Sequence, residues 1–176
     1  KILKENIFND IWIQPASGDA GGAIGAALAL YYMKLGKKRF VKNNKDQMSG
    51  AYLGPEFSEN DIQIFIKQNS PVYEKLSDEK IIEKVAKDIS EDKVVGWMNG
   101  RMEFGPRALG GRSILASAES KKMQKILNLK IKYRESFRPF APSILSDDLK
   151  DWFLLEKDSP YMLIVAEINN NKKIKM

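Results

Sequence analysis

The chain has 176 residues, 43% apolar and 30% charged, enough for one sizeable core or for one domain with a piece of another. It contains no histidine and no cysteine. That excludes a histidine proton shuttle, a histidine metal site and a disulfide framework from this stretch, and leans towards a cytoplasmic setting. The net charge is +6, and no run of about 18 apolar residues suits a bilayer crossing.

The chain opens on Lys1 and closes on EINNNKKIKM after an apolar run, so the expectation is a piece of a longer protein. Ile11–Gln14 reads as a short strand entering the small-residue stretch PASGDAGGAIGAALALYYMKLG. Asp19 stands where an N-cap would, and the helix that follows should end near Gly36. Residues 37–50 are polar and aperiodic, a linker by composition. Ser58 with Asp61 three residues on predicts a capping box, with Phe57 and Ile62 as its hydrophobic staple.

Over 79–89, Ile81, Ile82, Val85, Ala86 and Ile89 fall on one helical face. Lys93–Met98 reads as a buried strand. Residues 120–132 predict a helix with Met123, Ile126, Leu127 and Ile131 inward. After the loop KYRESFRPF, Ala141–Leu145 predicts a second strand, Ser146 a helix start, and Tyr161–Ile168 a third strand. Trp97, Phe104, Phe137 and Phe140 read as core residues. Alternating helices and strands place the chain in the α/β or α+β class.

The charge is unevenly distributed. Residues 94–145 carry ten basic residues against three acids, and five of the six arginines lie between Arg101 and Arg138. Residues 100–113, GRMEFGPRALGGRS, interleave three arginines with four glycines around Glu103. Gly105-Pro106 forces a turn, Gly110-Gly111 frees backbone N–H groups, and Arg112-Ser113 follows at once. Bidentate guanidiniums, a hydroxyl and free amides form the donor set that a phosphate or carboxylate needs.

Lys132, Arg134, Glu135 and Arg138 form a second basic loop stiffened by Pro139 and Pro142. Two other readings stay open on spacing alone: a structural ion-pair network and a nucleic-acid surface. Nucleic acid is disfavoured because no ribonucleoprotein, helix-turn-helix or zinc-finger pattern is present, and binding grooves usually recruit lysine too. The glycine-rich stretch matches neither GxxxxGK[ST] nor GxGxxG. The residues by themselves support a loop-built site for a phosphorylated small molecule.

Five segments in order resemble the O-carbamoyltransferases of the NodU/CmcH type: QPASGDAGGAIGAAL, LGPEFS, VVGWMNGRMEFGPRALGGRSILA, KIKYRESFRPFAPSIL and SPYM. The resemblance implies the tail of an actin-like ATPase-fold domain over 1–45. A YrdC-like α/β domain, a twisted sheet with flanking helices, would follow over 46–176. It implies a transferase that makes carbamoyl adenylate from carbamoyl phosphate and ATP, then passes the carbamoyl group to a small-molecule hydroxyl acceptor. By matching position it implies catalytic roles for Arg107, Arg134 and Arg138. Arg101, Glu103, Arg112, Ser113, Lys132 and Ser143 would complete the substrate site.

Asp19 would be one ligand of a divalent metal, iron in the family, and magnesium would accompany ATP. The partners so implied are the two anionic substrates, the acceptor, the rest of the first domain and a second copy in a homodimer, with no membrane. The alternative is a basic RNA-binding YrdC-like module without transferase activity. Two departures stand out: Gly111 replaces the family's usual asparagine, and Ser117-Ala118-Glu119 replaces an Asp-Pro-Arg run.

Overall fold

The structure, a computed structural model, describes residues 2–41 and 46–173. Helix α1 spans Asp19–Ala29 and widens into a π turn over Leu30–Lys34. Its N-cap is Gly18, not Asp19, which is the first helical residue and makes no capping bond. The helix stops at Leu35, before Gly36. Ile11–Gln14 is not a strand, because nothing among the described residues lies alongside to pair with it.

Helix α2 (Glu59–Asn69) starts at the capping box anticipated from Ser58 and Asp61, with both reciprocal bonds present. Phe57 and Ile62 are both left exposed. Helix α3 (Asp78–Ser90) is N-capped by Ser77. Its apolar stripe is only partly covered: Ile81, Val85 and Ile89 are half-buried, whereas Ile82 and Ala86 are exposed.

Strand β1 (Val95–Met98) pairs antiparallel with β2 (Arg112–Leu115), in the register Val95–Leu115 through Met98–Arg112. The Asn99 N–H donates to the Gly111 carbonyl at 3.0 Å and extends the ladder by one bond. The arginine- and glycine-rich run is therefore the long connection of a β-hairpin, held at both ends by the same ladder. Helix α4 (Met123–Ile126) passes into a π turn over Leu127–Ile131, and α5 (Leu149–Trp152) follows a 3-10 turn at Ser146–Asp148. Met123 and Leu127 point inward as their spacing required, while Ile131 is exposed.

Neither Ala141–Leu145 nor Tyr161–Ile168 is a strand: the second begins in a turn, with Met162 at φ +54°, and among the described residues their ladder contact is an isolated bridge between Phe153 and Ile168. An apolar run becomes a strand only where a neighbour supplies the partner groups. Among the described residues the sheet is thus two-stranded, in a mixed helix-and-sheet chain consistent with α/β.

Met48, Ala51 and Tyr161 form the buried cluster, with Leu109 and Leu163 packed against it. The end of the composition-defined linker is therefore part of the core; residues 42–45 lie outside the described residues. The Tyr161 hydroxyl donates to Asp46 at 2.8 Å, and burial, then that bond, pushes its pKa up to about 12. The accessible surface is 14562 Å², whereas a compact 20.0 kDa protein exposes roughly 8,700 Å².

Candidate functional site

The hairpin loop 99–111 is fastened on four sides. Its ends continue the β1–β2 ladder. On a second side it pairs with residues 51–55: Phe104 N–H donates to Ala51 O at 2.7 Å, Gly54 N–H to Met102 O at 2.9 Å, and Met102 N–H to Pro55 O at 2.9 Å. On a third, Gly105 (φ +115°) sits against Ala16, which is buried; a Cβ there would lie 3.0 Å from that of Ala16. On the fourth, Leu109 enters the core cluster and its carbonyl accepts the Tyr52 hydroxyl.

Inside the loop lies Glu103, whose side chain is fully buried. Its Oε1 accepts the backbone N–H groups of Leu109 (2.6 Å), Gly111 (2.8 Å) and Arg112 (3.2 Å). Its Oε2 accepts Arg112 Nε at 3.1 Å, and Arg112 Nη2 returns to the Glu103 carbonyl at 2.8 Å. Burial is the strongest single influence on this carboxyl and pushes it up. The Leu109 N–H, its own backbone N–H, the Arg112 guanidinium and the Gly111 N–H together outweigh burial and hold it at about 2.

A carboxylate so acidic is a poor general base at neutral pH, and its lone pairs face the loop. Glu103 holds Arg112 and the loop amides in place. Gly111 fits only as glycine in this backbone: a Cβ would stand 2.7 Å from the Arg101 carbonyl oxygen and 3.1 Å from Glu103 Oε2.

The five clustered arginines fall into two groups. Arg101 donates to the Gly54 carbonyl at 2.8 Å and pairs with Glu56 at 3.0 Å; Arg112 pairs with Glu103, and Arg138 with Glu135 at 2.9 Å. Arg107 and Arg134 have no acid partner among the described residues. Arg107 Nη1 reaches only the Pro15 carbonyl, at 3.4 Å. Arg134 Nε donates to Asn128 Oδ1 at 2.7 Å, and its guanidinium carbon lies 5.0 Å from the centroid of the Phe140 ring.

Ser113 Oγ accepts the Gly110 N–H at 3.0 Å and keeps its proton free to donate. Lys132 and Ser143 are exposed. No hydrogen bond or ion pair joins loop 99–113 to loop 132–138 among the described residues.

The aromatics divide differently from the core reading. Trp97 and Phe104 are half-buried, but Phe137 is 76% exposed, and Phe140 carries the Arg134 guanidinium. Asn128 was not legible as functional, because a polar residue on a helix is ordinarily assigned to the solvent side; here it is fully buried. Asp19 is exposed, and among the described residues no three His, Cys, Asp or Glu side chains group as metal ligands do. The residues present do not by themselves make a metal site.

The carbamoyltransferase C-terminus matches residues 86–176 and the carbamoyltransferase N-terminus matches residues 1–28, and the chain belongs to the carbamoyltransferase family. An uncharacterized protein of Synechocystis is 51% identical over 99% of this chain and 28% of its own length. Nodulation protein NolO of Bradyrhizobium diazoefficiens is 35% identical over 98% of this chain and 31% of its own length. Nodulation protein U of Rhizobium fredii is 39% identical over 92% of this chain and 25% of its own length. The chain thus spans between a quarter and a third of these relatives, and no helix among its described residues is long and apolar enough to cross a membrane.

Proposed function

We propose that this chain is the arginine-bearing part of a carbamoyltransferase. It forms carbamoyl adenylate from carbamoyl phosphate and ATP and transfers the carbamoyl group to a hydroxyl of a small molecule. Balance requires water in the first stage: carbamoyl phosphate gives carbamate and phosphate, a carbamate oxygen attacks the α-phosphorus of ATP, and pyrophosphate leaves. The acceptor hydroxyl then attacks the carbamoyl carbon, AMP departs, and the hydroxyl proton passes to solvent. Family membership supports the reaction class. The domain reading, an actin-like tail over 1–45 and a YrdC-like domain over 46–176, is part of the proposal; the family's N-terminal region matches residues 1–28 and its C-terminal region residues 86–176.

The single observation that carries the proposal is the division among the arginines. Glu103 absorbs Arg112 and three loop amides, Glu56 and Glu135 take Arg101 and Arg138, and Arg107 and Arg134 have no acid partner among the described residues. Uniting two polyanions is catalysed mainly by positioning and charge stabilisation, which suits a site rich in arginine and without histidine. Arg107 and Arg134 would meet phosphate oxygens directly. Arg101, Arg138, Lys132, Ser113 and Ser143 would add charge and hydrogen bonds.

The test uses the full-length protein with carbamoyl phosphate and labelled ATP. Pyrophosphate release that depends on carbamoyl phosphate is expected, reduced about 100-fold or more in Arg107→Ala. No release by the unaltered protein refutes the proposal. Salt-sensitive RNA binding that survives Arg107→Ala would favour an RNA-binding module instead.

A further inference from the structure

Among the described residues only two polar or charged side chains are buried, Glu103 and Asn128, and each sits beneath one of the arginine loops. Asn128 lies in the π turn that ends the α4 segment and has no exposed surface. Its Oδ1 accepts Arg134 Nε at 2.7 Å, and its Nδ2 donates to the carbonyls of Ser136 at 3.1 Å and Arg138 at 2.8 Å. Its own carbonyl accepts the Arg134 N–H at 3.0 Å. One side-chain amide therefore fixes the edge of a guanidinium and the backbone of the loop that follows it.

Arg134 is also held by its face, over Phe140 at 5.0 Å. With Nε tied and one face covered, the direction of the Nη1–Nη2 fork is set, and neither Nη hydrogen-bonds to a described residue. That fork is the bidentate donor pair that recognises a phosphate. We infer that Asn128 is a positioning residue of the anion site, acting through Arg134: it aims the guanidinium fork at a phosphate before any ligand arrives. This rests on the proposed phosphate-binding role of the loop.

A double-mutant cycle on the full-length protein separates this role from a merely structural one, with inorganic pyrophosphate as the probe and calorimetry as the readout. Asn128→Ala is expected to weaken binding about tenfold, the loss of one hydrogen bond to a charged group. In an Arg134→Ala background the same change should cost less than about twofold, because the group it acts through is gone. Equal losses in both backgrounds, or no loss in either, overturn the inference; so does an unaltered protein that fails to bind pyrophosphate.

If Asn128→Ala does not fold, the Arg134 Nε–H resonance of the unaltered protein decides. Slow hydrogen exchange before pyrophosphate is added is the expected result, and protection that appears only with pyrophosphate overturns it. Carbamoyl-phosphate-dependent pyrophosphate release is measured on the same preparation. Failure there, with the cycle as expected, refutes the transferase reading and leaves the role of Asn128 standing.

Discussion

Glu103 shows how a single acid sets the conformation of a basic loop. A buried carboxylate costs free energy unless its lone pairs are filled, and here three amides and a guanidinium fill them. Its folded pKa of about 2 lies below the ordinary 4.5, so the unfolded chain binds the proton more readily. The resulting stabilisation, roughly 3 kcal/mol, is complete above pH 4.5 and is lost as the pH falls from there towards 2. Urea midpoints measured across that window should fall steeply for the unaltered protein and clearly less for Glu103→Gln. At neutral pH the same substitution should cost about 2–3 kcal/mol, because an amide cannot satisfy Arg112 and the loop N–H groups together. Gly111→Ala forces the Arg101 carbonyl away and should cost about 1–3 kcal/mol by the same measurement.

At the scale of elements, local chemistry was readable and long-range chemistry was not. The Ser58–Asp61 box is a four-residue signal that needs no distant partner, and it forms as expected. Removing it in Ser58→Ala should cost about 1 kcal/mol of helix stability, seen as faster amide exchange in the first turn of α2. The strand ending at Met98 was also anticipated, but it begins at Val95 and not Lys93, and it alternates between half-buried and exposed residues where a buried strand was expected, because its one neighbour is β2. Strand β2 was hidden because Gly110 and Gly111 precede it and the run reads as loop; only pairing with β1 makes Arg112–Leu115 extended. The clustering of arginines was legible as a candidate site. Which arginines lack acid partners was not, since Glu56 and Arg101 are 45 residues apart in sequence.

For the whole molecule, the telling quantity is surface. Exposing 14562 Å² where a compact chain of this mass exposes roughly 8,700 Å² leaves large apolar residues such as Met33, Val72 and Val165 in water. The same deficit leaves the apolar runs at 141–145 and 161–168 outside any sheet, with the Phe153–Ile168 bridge as their ladder contact among the described residues. The 176-residue chain alone should therefore unfold with a urea dependence about 30% shallower than a compact protein of its mass, in proportion to the smaller area released. It should also bind an apolar dye strongly, whereas a longer protein containing it should bind less dye per residue. A steep, dye-silent transition of the isolated chain would show that it closes this surface by itself.

The saturation of Glu103 also fixes the proton inventory of the site. Its carboxyl is already ionised well below neutrality, the chain has no histidine or cysteine, and guanidiniums do not titrate in proteins. Between about pH 5 and 9 the side chains of loop 99–113 thus have no ordinary group that changes charge. A polyanion docking there would meet a field of constant sign and size. Its binding heat, once the ligand's own ionisation is subtracted, should be the same in buffers of widely different ionisation enthalpy. Any acidic limb in anion binding at this loop would then belong to the ligand, with the loop acting as a fixed electrode.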